Sequence, residues 1–264
     1  MNGTLRTIIA YQFRDALKSR WMLHHTLIYF VAAEALVLMA GSGERAMASL
    51  VNVVLLLVPL GALVFGAMHL YSIRDFLKLL LTQPMDRGTL FTGVYLGLAL
   101  PESVGLALAL GAPFLLHGFL STEVLAQLGQ LILLAVALTW IFTALALLIA
   151  THVADRVRCV GTALAVWLLM SVAYDGLILV AVEALSRYPL EKPLLALMLL
   201  NPVDLSRVLL MLALEAEALM GYTGAVFSRY LGGFQGLALA GFSLLVWLSV
   251  PFMLTRRAFA RHDF

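Results

Sequence analysis

The stretch Tyr71–Thr89, YSIRDFLKLLLTQPMDRGT, lies between two long apolar runs and sets how the rest of the chain is arranged. Ser72 followed three residues later by Asp75 is the S-x-x-D pattern that marks a helix start. Apolar residues then share one helical face, namely Ile73, Phe76, Leu77 and Leu80. Arg74 and Lys78 lie off this stripe, beside Asp75. The stretch therefore predicts a short amphipathic helix with one apolar and one charged face.

Two functions fit such a helix between two apolar runs. An apolar face opposite a charged face is typical of a surface that binds another protein. It is equally typical of an interfacial helix that lies on lipid headgroups. In either case Pro84 stops the helix, and Asp86-Arg87-Gly88 turns the chain back toward the next apolar run.

The composition identifies a membrane protein. Of the 264 residues 62% are hydrophobic and only 12% are charged, which lies outside the range of soluble domains. Several apolar runs reach the length of about 20 residues that a membrane-crossing helix needs, and helices satisfy their own backbone in lipid. Cys159 is the only cysteine, so no intrachain disulfide or CxxC site forms, and the net charge of +2 does not indicate nucleic-acid binding. We predict an all-α polytopic membrane protein that forms a single transmembrane domain over 1–264.

The charge distribution predicts the topology. Six spans are expected, at 23–41, 49–71, 90–117, 124–151, 160–182 and 234–254. Six crossings put both termini on one side, and the segments assigned to that side carry twelve of the 17 basic residues. The positive-inside rule then places both termini and the helix in 71–89 in the cytoplasm. Residues 1–22 mix basic and apolar side chains, as expected of an amphipathic helix along the cytoplasmic headgroups.

The long loop 183–233 is expected on the outer side with its own helical structure. Asn201-Pro202-Val203-Asp204 is a strong helix start, with a cap, a proline and an acid in the first turn, and Gly221 can end this helix after Met220. Four charged residues favour a helix that lies on or dips into the outer surface: Asp204, Arg207, Glu215 and Glu217. Tyr222–Phe227 is expected to form a re-entrant return.

Motifs for chemistry are absent from the sequence. There is no GxxxxGK[ST], no HExxH and no GxSxG, so we predict no catalytic residue, no cofactor and no nucleotide hydrolysis by this chain. Glu34, Glu102 and Asp175 fall within or near spans, where an acid is either functional or a hydrogen-bonded structural group. The 11 methionines fit copper ligation or ordinary packing, so a metal site stays unknown.

Several segments resemble a known family. They are LLLTQPMDRGTLF (79–91), AYDGLIL (173–179), YPLEK (188–192), LNPVDLSRVLL (200–210) and ALMGYTGAVF (218–227). With the six-span layout, they resemble ABC type-2 exporter permeases, and among these the NosY-type membrane subunit of the nitrous oxide reductase maturation transporter. Residues 72–76, SIRDF, depart from the acidic E-x-x-x-G-T-like run of many such permeases, which leaves open which ATPase fits.

The resemblance implies a function and a set of partners. It implies a homodimer in the bacterial inner membrane, with two copies of a cytosolic ABC ATPase docked on residues 72–78 and Leu80. A periplasmic maturation protein would bind the outer segment, through Asn201, Asp204, Arg207, Glu215, Glu217 and Tyr222. The complex would serve assembly of the copper-sulfide centres of nitrous oxide reductase, by moving sulfur or copper or by mechanical work alone.

Two other functions stay open at this point. A permease of the same family that exports a lipid or a toxic compound would keep the ATPase-docking helix but need no periplasmic partner. A secondary transporter or channel would instead need a polar pathway through the spans, for which Glu34 and Asp175 are the available groups.

Overall fold

The computed structural model describes residues 2–82, 86–184, 191–214 and 233–261, and this part of the chain is helical without a strand. Six of its helices are long and apolar enough to cross a membrane: α2 (Arg20–Ala40), α3 (Gly43–Ser72), α5 (Arg87–Leu116), α6 (Thr122–His152), the fifth span Arg156–Ala184 and α11 (Phe234–Arg261). The predicted all-α class and the six spans are confirmed. Most helices extend past the predicted apolar runs because the polar residues of their end turns continue the helical backbone.

The centre of the bundle is the contact between α3 and α6, with α5 beside them. Phe114 and Phe142 are fully buried there, as is Leu63 of α3. Around this centre, α2 packs on α3 and α5, while α11 packs on α5 and α6. The three central helices are therefore the ones whose apolar residues are mostly covered by protein.

The N-terminal helix α1 (Asn2–Lys18) packs closely along α5. Gly93 and Gly97 of α5 permit this approach, because a Cβ on Gly97 would lie 2.3 Å from Cβ of Gln12, and one on Gly93 would lie 2.5 Å from Cγ2 of Ile8. The predicted N-terminal helix is thus present, and its inner face is part of the protein core.

The fifth span consists of α7 (Arg156–Leu168), a π-helical turn at Leu169–Ala173 and α8 (Tyr174–Ala184). Within this span only Cys159, Ala163 and Ser171 are buried. The span is therefore the least covered of the long segments that contact the central helices.

Two further elements lie between the spans. The helix α4 (Arg74–Leu81) follows α3 directly, and we call the end of the bundle where α3 and α6 finish and α5 and α7 begin the α4 end. The helices α9 (Glu191–Leu199) and α10 (Pro202–Ala213) precede α11 and are bent relative to each other by 109°. We call this pair the bent hairpin.

Candidate functional site

The apolar stripe of α4 faces the protein interior. Ile73 and Leu77 are 7% and 0% exposed, and both belong to a buried cluster shared with α3, α5 and α6. Leu80 packs against the same cluster, and the ring of Phe76 stacks on Tyr11 of α1 with 5.3 Å between ring centroids. The predicted stripe exists, but the chain itself covers it, so it is not an open surface for a partner in this conformation.

The predicted capping role of Ser72 is wrong. The chain remains helical through Ser72, whose hydroxyl donates to the carbonyl of His69 at 2.7 Å, and Ile73 is the residue that precedes α4. The carboxylate of Asp75 therefore has no capping box to complete. It accepts a hydrogen bond from Lys78 instead, with 3.3 Å between Nζ and Oδ1.

Arg74 fixes α4 to the end of α6. Its guanidinium donates to the carbonyls of Ala150 and Ala154 at 3.2 Å each and to that of Val153 at 3.5 Å. It also lies 4.0 Å from the ring centroid of Tyr71, whose hydroxyl donates to Val153. The last carbonyls of a helix have no partner within it, so a cation at this place stabilises the helix end. Arg74 is thus a structural clamp and faces inward.

A second face of α4 is open. Asp75, Lys78, Leu79 and Thr82 lie three, four and seven residues apart, so they share one side of the helix, and all four are exposed. The side chain of Asp75 is 97% exposed, and Leu79 is 62% exposed. We call these four residues the outer face of α4. Sequence reasoning missed Leu79, whose signal is an apolar residue among polar ones on this face.

The chain after α4 is fixed at the start of α5. The Asp86 carboxylate accepts hydrogen bonds from the backbone N–H and the hydroxyl of Thr89, at 2.7 and 2.9 Å, and caps the helix. These two bonds favour the ionised carboxyl and lower the pKa of Asp86 below its ordinary value. Arg87 donates to the carbonyl of Ala260 at 3.2 Å, which joins this corner to the end of α11.

The start of α10 confirms its sequence signal. Asn201 caps α10, because its Oδ1 accepts the N–H of Val203 at 3.0 Å, and Pro202 is the first helical residue. The Nδ2 of Asn201 donates to the carbonyl of Met170 at 2.7 Å, within the π-helical turn of the fifth span. A π turn leaves carbonyls outside the normal ladder, and here Asn201 satisfies one of them. Asn201 thereby links two elements, a role that the capping pattern alone does not predict.

The first half of α10 dips into the bundle, which is one of the two placements expected from the sequence. The first half of α10 is buried against α3, α6 and α11, with Val203 0% and Asp204 3% exposed. The charges are accommodated by pairing: Nη1 of Arg207 lies 2.5 Å from Oδ2 of Asp175 and 3.3 Å from Oδ1 of Asp204. Because Arg207 contacts both acids, the charges of α10 have partners within the chain, which allows the helix to pack against the bundle.

Of the six residues predicted to bind an outer partner, three are engaged within the chain and three lie outside the described residues. Asn201 and Asp204 are buried, and Arg207 is partly buried in its ion pairs. The other three candidates, Glu215, Glu217 and Tyr222, lie outside the described residues. The same holds for the predicted end of the helix near Met220 and for the return at 222–227, since the described part of α10 ends at Ala213 and Leu214 follows it.

The other two intramembrane acids also have partners within the chain. Oε1 of Glu34 lies 2.7 Å from Nε2 of His117 at the end opposite α4. Glu102 is buried, accepts a hydrogen bond from the hydroxyl of Thr143 at 3.3 Å, and has Nδ1 of His25 3.6 Å away. These contacts favour the structural interpretation of both acids. Among the residues that the structure describes, no group of three or more His, Cys, Asp or Glu could hold a metal ion.

The six spans and the short helix at one end define a multi-span helical membrane protein. Residues 52–264 match the family described as "ABC-2 family transporter protein", so the chain belongs to the ABC-2 transporter family. Two relatives are each named "Probable ABC transporter permease protein NosY". The Stutzerimonas stutzeri protein is 29% identical over 267 residues, which cover 95% of each chain. The Pseudomonas aeruginosa protein (strain ATCC 15692) is 30% identical over 232 residues, which cover 81% of this chain and 84% of the relative.

These likenesses confirm the family resemblance drawn from the sequence. The chain is a permease subunit of an ABC transporter, similar to NosY permeases. A permease of this class implies an ATPase partner.

Proposed function

We propose that an ATPase docks on the outer face of α4, and that the transporter serves maturation of the copper-sulfide centres of nitrous oxide reductase. The docking proposal rests on one observation: α4 has its inner face fixed to the bundle and its outer face free. The maturation role rests on the similarity to NosY permeases over most of the chain. We place the α4 end in the cytoplasm because it carries most of the basic residues.

The contacts of α4 would allow it to transmit a movement of the docked ATPase to α1, α3 and α6. Its backbone follows α3 after a single non-helical residue, Ile73. The Phe76–Tyr11 stack joins it to α1, and the Arg74 clamp joins it to the end of α6. A partner that pushes on the outer face would therefore move three elements together, since packed helices shift as units rather than deforming continuously.

The surroundings of α4 favour a partner surface with acidic groups. Arg156 and Arg158 begin α7 next to the carbonyls that Arg74 binds, and both are exposed. The outer face itself carries one acid, Asp75, and one base, Lys78, so a partner with matching charges could bind it in only one orientation. Complementary charges of this kind fix the orientation of a docked partner more than they add affinity.

The docking proposal is tested by Leu79→Asp. This change puts a charge at the exposed apolar position of the outer face and disturbs no buried contact. The permease should insert and purify normally but lose its cognate ATPase on co-purification. Leu120→Asp is the matched control, because Leu120 is 52% exposed at the opposite end, and it should retain the ATPase. Equal retention by both variants would reject the outer face as the docking site.

Phe76 is a poorer test position than its place on the stripe suggests. Its ring stacks on Tyr11, so Phe76→Asp also disturbs the packing of α1. Loss of the ATPase from that variant would not separate docking from folding.

We also propose that the transporter contains two copies of this chain, which meet along the fifth span and α2. The fifth span leaves most of its apolar side chains uncovered, including Leu164, Leu168 and Val172. An apolar groove of about 420 Å³ runs between α2, α3 and α7, continuous with these side chains. After Cys159→Ala, Leu168→Cys should give a disulfide-linked dimer in membranes. Leu133→Cys, at an exposed site on α6, should not, and cross-linking at both or at neither position would reject this interface.

For the outer side, we propose that a periplasmic maturation protein binds the segment that follows α10. The bent hairpin anchors that segment, because Asn201 and Arg207 tie α10 to the fifth span. A partner that binds there would act on the fifth span through these ties. Since Asn201, Asp204 and Arg207 are engaged within the chain, Glu215, Glu217 and Tyr222 are the candidates for direct contact.

A further inference from the structure

We propose that the groove between the ends of α6, α7 and α11 binds one anionic phospholipid, with its phosphate held by Arg257 and Arg261. The groove has a volume of about 850 Å³ and opens at the α4 end of the bundle. This volume lies within the range of sites that enclose small ligands. Among the described residues that line the groove there are two arginines and a histidine but no acidic side chain.

The charged side of the groove has no acidic neighbour among the residues that the structure describes. Arg257 and Arg261 are one helical turn apart on α11 and both are exposed. Within the described part of the chain, neither guanidinium has an ion-pair or hydrogen-bond partner. Two like charges at this spacing repel each other, so an anion placed between them relieves the repulsion and gains two charge-assisted bonds. Arginine suits this role because its planar fork matches phosphate oxygens.

His152 adds a third polar contact from the facing helix. Its Nδ1 lies 2.9 Å from the carbonyl of Leu148 and so carries the proton of that hydrogen bond. The remaining ring nitrogen, Nε2, is free to accept from a hydroxyl-bearing headgroup. The glycerol headgroup of a phosphatidylglycerol offers such hydroxyls beside its single phosphate.

The order of apolar and charged residues matches an amphiphile rather than a free anion. On α6, Leu148 lies one turn deeper in the bundle than His152. On α11, Leu254 likewise lies deeper than Arg257 and Arg261. Both helices therefore present hydrocarbon inward and cationic or polar groups at the end, as the acyl chains and phosphate of a membrane lipid require.

The test is native mass spectrometry of the full-length chain, purified in detergent, stripped of lipid and titrated with phosphatidylglycerol or phosphatidylcholine. One phosphatidylglycerol should bind in preference to phosphatidylcholine, and inorganic phosphate should not displace it. The double variant Arg257→Gln/Arg261→Gln should bind about 30-fold more weakly, as expected from the loss of two charges. Equal binding of both lipids, or displacement by inorganic phosphate, would overturn the proposal.

Two control variants sharpen this measurement. Arg6→Gln/Arg14→Gln removes two exposed arginines from α1, outside the groove, and should leave the bound lipid in place. Ala258→Trp fills the groove without changing its charge and should also expel the lipid. If Arg257→Gln/Arg261→Gln instead reduces ATPase co-purification while lipid binding is unchanged, the groove belongs to the protein partner and the lipid proposal fails.

Discussion

The guanidinium of Arg207 and the carboxylate of Asp175 lie 2.5 Å apart, from Nη1 to Oδ2, and this ion pair joins the bent hairpin to the fifth span. Asp204 stands 3.3 Å from the same guanidinium nitrogen and is almost completely buried. One cation thus contacts two carboxyl groups at the junction of α8 and α10. The junction explains how a helix with charged residues can pack inside a membrane bundle.

Removing Arg207 should therefore destabilise the whole subunit. Arg207→Ala leaves Asp204 buried without its counter-charge. We expect the free energy of unfolding to fall by about 2 kcal/mol, which is less than for a fully buried ion pair because Asp175 is partly exposed. The measurement is the midpoint of thermal unfolding of the purified chain in detergent. Arg45→Ala, an exposed arginine at the start of α3, is the control and should leave the midpoint unchanged.

Exchange of the two charges provides a rescue. Arg207→Glu alone should lower the unfolding midpoint more than Arg207→Ala does, because it gathers three acids in one place. Adding Asp175→Arg restores an opposite pair and should recover part of the loss. An Arg207→Glu/Asp175→Arg protein no more stable than Arg207→Glu would show that the pair does not hold the hairpin.

Arg74 should hold α4 against the end of α6, and it should not be needed for binding of the ATPase. Arg74→Ala removes hydrogen bonds to three carbonyls of α6 and the following loop, while the outer face of α4 stays intact. Bonds from a charged group contribute about 1.5 to 3 kcal/mol each, so backbone amides in 74–81 should exchange at least tenfold faster with deuterium. Lys78→Ala, on the exposed side, should leave this exchange unchanged. Equal exchange in the parent and Arg74→Ala would contradict the clamp.

The packing of α1 on α5 is testable with two glycines of the same helix. An added methyl at Gly97 would lie 2.3 Å from Cβ of Gln12, whereas Gly111 has open space around it. Gly97→Ala should destabilise the subunit by about 1 to 3 kcal/mol through overpacking. Gly111→Ala should be neutral or stabilising by up to about 1 kcal/mol, because alanine favours the helix. Thermal unfolding of both variants decides this, and similar midpoints would mean that α1 is not packed tightly.

Binding of an outer partner should depend on the segment after α10. Glu215→Lys/Glu217→Lys reverses two charges there while Asp175, Asp204 and Arg207 stay unchanged, and capture of the periplasmic maturation protein should fall by about tenfold. Glu123→Lys, an exposed acid at the start of α6 on the same side, is the control and should leave capture unchanged. Unchanged capture by the double variant would remove this segment from the interface.

The sequence predicted those features that depend on neighbouring residues. Continuous apolar runs located the spans, and the Asn201-Pro202 pair located the start of α10 because capping depends on adjacent residues. The stripe on α4 was found for the same reason, since helical spacing alone defines a face.

The sequence could not show what covers each face. Whether Leu77 meets a partner or its own chain depends on how α3, α5 and α6 pack around α4, which the spacing of residues within α4 does not determine. The burial of Asp204 depends similarly on Arg207 and on Asp175, which lies in another span. The sequence therefore left open whether this charged helix lies on the outer surface or dips into it, because the pairing of its charges depends on the tertiary structure.

Site-specific cross-linking tests the central claim, that the ATPase docks on the outer face of α4, most directly. In a Cys159→Ala background, Asp75→Cys and Leu79→Cys would each carry a short thiol-reactive photo-cross-linker in membranes that contain the cognate ATPase. Both positions should form a covalent product with the ATPase, and Leu120→Cys at the opposite end should form none. Absence of the product at both positions on α4, with the ATPase present in the same complex, would contradict docking on this face.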